Sequence, residues 1–312
     1  MVQDIDIPKE RISVSFSASD NFSQHLSVLI VSILVNNPES SFRFHILHKS
    51  ISQENQNKIV EITRKYNNCE IIFHSINKLF FSNAKLPSFH ITEECYYRLL
   101  LPKILSDEKR TLYLDIDTLV FRGLRDLWNI KLDGYACAAV CEGKYPRNSL
   151  LCYAKPISFE NQRYFNSGVI LFNLEYIRNE SLSILPFDIL LDWGDKVGYA
   201  DQDVLNLAYY GRVKFISQSY NFMGKWLLSE KPSKVVIRHY TSFSQKPWNC
   251  KLKRFTWIKY AWYLAKSPYR NRLIPFVLMH LRSFLYWRYV RNGYPSLDIC
   301  GVRIWKGCKL SD

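Results

Sequence analysis

The chain has 312 residues, 47% of them hydrophobic and 22% charged, with a formal net charge of +14. That balance excludes a disordered polyelectrolyte and allows a sizeable core, as one large domain with an appendage or as two domains. The charge is uneven: residues 251–312 carry 13 Lys/Arg against 2 Asp/Glu, which leaves the first 250 close to neutral.

Residues 11–18, RISVSFSA, alternate apolar and polar side chains and predict a strand. Leu26, Leu29, Ile30, Ile33 and Leu34 follow at helical spacing until Asn36, Asn37 and Pro38 stop the pattern. Residues 42–48 read as a strand, 52–66 as a helix and 69–74 as a strand. The order βαβαβ predicts an α/β fold, an open and largely parallel sheet with helices on both faces. A helix around 92–105 precedes the strand RTLYLDID; strands at 136–140, 168–173 and 234–240 and helices near 186–193 and 202–210 complete the reading. The first strand-to-helix turn, SASDNFSQH, has no glycine. A dinucleotide fingerprint is therefore excluded, and a bound diphosphate would need another group to neutralise it.

The strand that begins at Arg110 ends in Asp115, Ile116 and Asp117. Alternation puts both carboxylates on one side of the chain, and a bridging divalent cation would relieve their repulsion. Hard oxygen donors suit Mg²⁺ or Mn²⁺. Polar residues closing a strand into a loop are the plain structural alternative. Haloacid-dehalogenase-type phosphatases use a similar strand end, but with Thr or Val four residues after the first Asp, where Leu119 stands here. Nucleotide-sugar glycosyl transfer is the other chemistry, the pair then holding a metal on the diphosphate leaving group.

Further segments bear on that choice: SASDNF, YYRLLLPKIL, RYFNSGVILFNL, YADQDVLN and VVIRHYTSFSQKPW. In this order, from about residue 11 to 250, they resemble the family 8 glycosyltransferases. These are retaining enzymes of GT-A type fold, a Rossmann-like α/β/α sandwich, and include lipooligosaccharide and lipopolysaccharide galactosyl- and glucosyltransferases. The resemblance implies that Ala18, Asp20 and Asn21 meet uracil and ribose; Asp20 read alone is a helix cap. It implies donor contacts for Arg98, Asp115, Ile116, Asp117, Asn166, Ser167, Asp201 and Gln202, with Gly168 leaving room for the sugar. Asn166, Asp201 and Gln202 are the implied catalytic residues. Asp115, Asp117 and His239 are the implied metal ligands, for Mn²⁺ or Mg²⁺, and Lys246 the implied diphosphate contact. Glu142 is a further candidate for the sugar or acceptor. The sequence departs from the family pattern at Ser19, at Ser242 in a usual Gly position, and in a His239-to-Lys246 interval one residue longer than usual.

The boundary expected from the charge shift separates a catalytic domain, 1–250, from a basic, aromatic and largely helical extension, 251–312. Lys/Arg interleaved with Trp, Tyr and Phe suit an anionic membrane surface. Single-stranded nucleic acid is the rival partner, without an accompanying RNA-binding motif. Packing on the catalytic domain is the structural alternative. Eight cysteines without a CxxC pair suggest reduced thiols, and MVQDIDIPKE has no signal-peptide core. The expectation is a cytoplasmic enzyme held peripherally on the inner membrane, with a UDP-hexose donor, a glycan or glycolipid acceptor and no nucleic acid. A phosphatase and a non-catalytic sugar-nucleotide-binding protein are the alternatives.

Overall fold

The computed structural model describes residues 11–77, 81, 93–144, 146, 149–154, 163–224, 234–249, 256–291, 294–299 and 302–306. The chain divides into two compact units, Met1–His239 and Tyr240–Asp312.

The first unit opens with β1 (Ile12–Ser17), a 3-10 turn at Asp20–Phe22, α1 (Ser23–Val35), β2 (Phe42–His48), α2 (Gln53–Lys65) and β3 (Cys69–Ser75). A 3-10 helix over Glu93–Leu100 leads into α3 (Leu101–Ile104), then β4 (Thr111–Leu114), β5 (Thr118–Val120), α4 (Arg125–Trp128) and β6 (Cys137–Lys144). Next come α5 (Leu151–Ala154), β7 (Arg163–Phe172), α6 (Leu174–Asn179), α7 (Leu185–Trp193), α8 (Ala200–Ala208), β8 (Val213–Ile216) and β9 (Ile237–His239). The main sheet has the order β3-β2-β1-β4-β7-β6-β8. Its first four strands are parallel, β7 runs antiparallel to both β4 and β6, and β6 pairs parallel with β8.

The α/β expectation is met, with local differences that have physical causes. Both faces of β1 are buried, not one. Two of its serines are accommodated because Ser13 and Ser15 share the Thr111 hydroxyl of β4, at 3.1 and 3.3 Å. The helix expected around 92–105 splits at Leu100. Pro102 cannot donate a helical hydrogen bond, so an α-helix can begin just before it but cannot run through it. The strand expected at 234–240 shortens to β9 and leaves the main sheet for a ribbon with β5, Thr118 opposite His239. Side chains of α1 and of the residue that caps it close the ribbon's edge: Ser32 Oγ accepts from Val120 N at 3.0 Å, and Asn36 Nδ2 donates to Val120 O at 3.1 Å.

The second unit holds α9 (Thr256–Leu264), α10 (Leu273–Leu285) and an antiparallel sheet of β10 (Tyr286–Arg291), β11 (Tyr294–Ile299) and β12 (Val302–Lys306). The helices match the expected extension; the sheet was not anticipated. Tyr260 and Phe276 lie 5.0 Å apart, and Trp257 stacks on His280 at 5.0 Å. Other apolar side chains face outward, among them Ile274 (70% exposed), Leu278 (58%) and Trp262 (47%). Among the described residues, no helix is long and apolar enough to cross a membrane.

Candidate active site

The site lies in the first unit, where β4 ends against the middle of β7. The Asp115 N–H continues the ladder to Gly168 O at 2.8 Å, and then the chain turns: Thr118 donates to Asp115 O from N at 3.1 Å and from Oγ1 at 2.7 Å. The convergence of Asp115 and Asp117 therefore comes from this turn, not from strand alternation as the sequence suggested. Ile116 lies half-buried between them. The β5–β9 ribbon delivers His239, 3% exposed, from more than a hundred residues away. Its Nε2 lies 3.2 Å from Asp117 Oδ1 and 3.8 Å from Asp115 Oδ2.

These three side chains offer ligand atoms that all fall within 4.8 Å of one another. Two carboxylates and an imidazole form a donor set suited to Mn²⁺ or Mg²⁺. Gly168 makes room for it. A Cβ there would overlap His239 Cε1 and come within 2.7 Å of Asp115 Oδ2. The residues fit a divalent cation.

Beneath the carboxylates lies Arg98, 4% exposed, from the 3-10 helix. Nη2 reaches Asp115 Oδ1 at 2.8 Å, Nη1 donates to Ser167 O at 2.6 Å, and Nε lies 3.1 Å from Asp201 Oδ2. The guanidinium also stacks 4.2 Å from the Tyr113 ring centre. Burial opposes its charge, but Asp115 and Asp201 hold it protonated. Burial pushes the Asp201 carboxyl up to about 6 against the pull of Arg98. Asp115 thus gives one oxygen to Arg98 and turns the other toward His239.

The sugar-facing candidates form a second cluster around β7. Asn166 and Ser167 are buried. Gln202 Oε1 accepts from Ser167 N at 3.0 Å and from Asn166 Nδ2 at 3.1 Å. Glu142 joins them, its Oε2 accepting from Asn166 Nδ2 and Gln202 Nε2, both at 3.3 Å. A bulge explains how it gets there: Cys141 pairs with Phe165 and Gly143 with Tyr164, so Glu142 is the unpaired extra residue. Gly143, at φ 125°, has a backbone only glycine adopts readily.

The Asp-Gln-Asp run at the start of α8 divides its labour. Ala200, at φ 48°, is a left-handed residue just ahead of Asp201, a strained backbone that a functional site can retain. Asp203 is wholly buried and structural. It accepts from the Ser149 hydroxyl, from Tyr164 Oη at 2.8 Å, and from the backbone N–H groups of Leu150, Gly198 and Tyr199, each at 3.0 Å. Asn206 stands in for a strand neighbour, exchanging two 2.9 Å bonds with the Phe165 backbone.

Ala18 is buried at the end of β1, and Asn21 is exposed. Asp20 Oδ1 accepts from Ser52 N, Ser52 Oγ and Asn55 Nδ2 at 2.8, 2.9 and 2.8 Å. Those bonds, with Asn55 foremost, hold its carboxyl below the usual range and tie the first turn to the start of α2. Lys246 lies in the second unit, just after the 3-10 turn Phe243–Gln245. Asn221, 1% exposed, was missed by the sequence reading. Its amide touches both His239 and Asn166, and no motif surrounds it to give it away.

The profile described as "Glycosyl transferase family 8" matches residues 13–251. An inferred glycosyltransferase of Haemophilus influenzae is 31% identical over 238 residues, which cover 74% of this chain and 71% of that protein. The lipopolysaccharide 1,2-glucosyltransferase of Escherichia coli is 29% identical, over 81% of this chain and 76% of that protein. A crystal structure of the galactosyltransferase LgtC with donor and acceptor sugar analogues aligns at a TM-score of 0.69 and 26% identity, covering 82% of this chain and 96% of that one.

Proposed function

The chain belongs to glycosyl transferase family 8, and from that premise we propose a metal-dependent, retaining hexosyltransferase that moves galactose or glucose from a UDP-sugar to a glycan of the bacterial cell surface. Lipopolysaccharide, lipooligosaccharide or capsule is the proposed acceptor class, the first in keeping with the names of two relatives. The observation that carries this reading is the meeting of Asp115, Asp117 and His239 within 4.8 Å inside the family match. Neither a phosphatase nor a non-catalytic protein finds support.

In this reading Asp115, Asp117 and His239 hold Mn²⁺ or Mg²⁺ at the carboxyl end of β4. The cation, when bound, supplies Lewis-acid stabilisation of charge on the departing diphosphate. Ala18, Asp20 and Asn21 flank uracil and ribose; the bonds of Asp20 to α2 leave one carboxylate oxygen for the ribose. Arg98 neutralises Asp115 and Asp201 from below and faces the donor side of the site. Asn166, Ser167, Asp201 and Gln202 orient the hexose, with Glu142 at its outer edge. Gln202 is an amide whose oxygen already accepts two hydrogen bonds. It is a poor nucleophile, which favours attack of the acceptor on the same face as the leaving group.

Residues 1–250 form the catalytic domain, and 251–312 bring it to an anionic membrane at the cytoplasmic face. Support comes from the outward apolar side chains Ile258, Trp262, Ile274 and Leu278, in a stretch of chain, 251–293, that has no Asp or Glu. The test is UDP release from UDP-galactose and UDP-glucose with Mn²⁺, for the wild type and Asp117→Asn. Wild-type release from either donor, abolished by chelation and reduced at least about a hundredfold by the substitution, is expected. Equal release by Asp117→Asn would refute the metal reading.

A further inference from the structure

Four side chains in the site carry groups whose orientation could be reversed without changing their outline: the amides of Asn166, Asn221 and Gln202, and the imidazole of His239. Two backbone N–H groups remove the ambiguity, because a backbone N–H can only donate. The Gly168 N–H points at Asn166 Oδ1, 3.0 Å away, so that atom is the amide oxygen. Asn221 meets the same oxygen at 2.8 Å and must present its NH₂. The other end of Asn221 is then its oxygen, 2.9 Å from His239 Nδ1, and Nδ1 must carry a proton. The Ser167 N–H fixes Gln202 in the same way, at 3.0 Å from Oε1. Gln202 Oε1 in turn requires the NH₂ of Asn166 at 3.1 Å, so the two backbone donors give one consistent assignment.

We propose that Asn221 is a positioning residue that holds His239 in its Nδ1–H tautomer, so that Nε2 presents a lone pair toward Asp115 and Asp117. The inference rests on the reading of these three residues as a cation site. It adds a residue on which that site depends, and it links the ligand sphere to Asn166 on the sugar side. Asn221 does this from a 1% exposed position, where no water competes for Nδ1. Such partners of metal-bound histidine set ring orientation and basicity, and their loss commonly weakens metal binding tenfold to a hundredfold.

Mn²⁺ binding is measured directly, by titration calorimetry and by the electron paramagnetic resonance signal of free Mn²⁺, for the wild type, Asn221→Ala and Asn221→Asp. Asn221→Ala is expected to weaken binding by about tenfold or more, and Asn221→Asp, which keeps an acceptor for Nδ1, to recover most of that loss. The wild type alone supplies a second reading: ¹⁵N spectra of His239 in Mg²⁺-loaded protein should show a protonated Nδ1 and a coordinated or bare Nε2. Mn²⁺ binding by the wild type with no loss in Asn221→Ala, or a protonated Nε2 in the spectra, overturns the role of Asn221 and leaves the cation site standing. If the wild type binds no Mn²⁺, both fall. Should Asn221→Ala fail to fold, the spectra decide.

Discussion

Replacing Gly168 with Ala probes the centre of the site with one methyl group. The added carbon would overlap His239 Cε1 and approach Asp115 Oδ2 to 2.7 Å and His239 Nδ1 to 2.9 Å. Unstrained contacts between such atoms need roughly 3.5 Å, so the nearest neighbour must retreat by more than about 1 Å. Neither retreats cheaply. His239 is paired with Thr118 in the ribbon and bonded to Asn221 at 2.9 Å; Asp115 is bonded to Arg98 at 2.8 Å. An extra methyl in such surroundings costs about 1–3 kcal/mol. For a unit of this size that lowers Tm by roughly 2–4 °C per kcal/mol. Cation affinity should fall further, by about ten- to a hundredfold, because the displaced side chains are those that carry the ligand atoms. Thermal melts with and without Mn²⁺, alongside calorimetric titration, separate the two effects: the variant should melt lower in chelator and gain less from Mn²⁺ than the wild type. A Gly168→Ala protein that binds Mn²⁺ within about twofold of wild type would refute the cradle, since a tenfold loss is the least it predicts.

Asp203→Ala should act on stability more than on donor binding. It strips one buried carboxylate from three backbone N–H groups and two hydroxyls, and a loss of about 3–5 kcal/mol is expected in urea unfolding; a loss under about 1 kcal/mol would show those bonds to be idle. His74 shares a 3.0 Å hydrogen bond with His45, and burial, with His45 and His48 nearby, lowers its pKa from 6.5 to about 4. The unfolded chain then binds the proton first, so stability should fall as pH drops from 6.5 toward 4 and level off below. Partial exposure limits the effect to about 1–2 kcal/mol, and His74→Gln should flatten the profile between those limits; an unchanged slope would exclude His74 as its source. For the second unit, the full-length protein should sediment with anionic vesicles, and the pair Trp262→Asp and Leu278→Asp should release it. Equal sedimentation of that variant would refute membrane contact through these helices.

Much of the site was legible because its chemistry is written in contiguous runs. Asp115-Ile116-Asp117, Asn166-Ser167-Gly168 and Asp201-Gln202-Asp203 each occupy one strand end, one strand or one helix start, so each run is short enough to carry the family resemblance that exposes it. His239 was found through its flanking segment, yet the reason it meets the aspartates, a three-residue ribbon between β5 and β9, is a long-range pairing without local periodicity. Asn221 depends on that same pairing and on β7, and a single Asn between Tyr220 and Phe222 carries no pattern. Glu142 required a bulge, which displaces one residue from an otherwise ordinary alternation. In the Asp-Gln-Asp run the resemblance singled out Asp201 and Gln202, and the fold supplies what it left open: Asp203 serves the neighbouring loops while Asp201 faces Arg98. The broken helix at Pro102 shows how one missing N–H can reshape a segment whose apolar spacing still suggests continuity.

The reversed course of β7 shapes what the protein can become. Because it runs against β4, residues from its middle, rather than from a loop beyond its end, form the floor on which a sugar would rest. Several backbone groups there are already committed: Gly168 O accepts from Asp115 N, the Ser167 and Gly168 N–H groups donate to the amides of Gln202 and Asn166, and Ser167 O accepts from Arg98, so drift at those positions would disturb these bonds before it altered preference. Variation in what is carried and where it is attached is therefore expected to concentrate in the bulged tip of β6, while the base stays fixed.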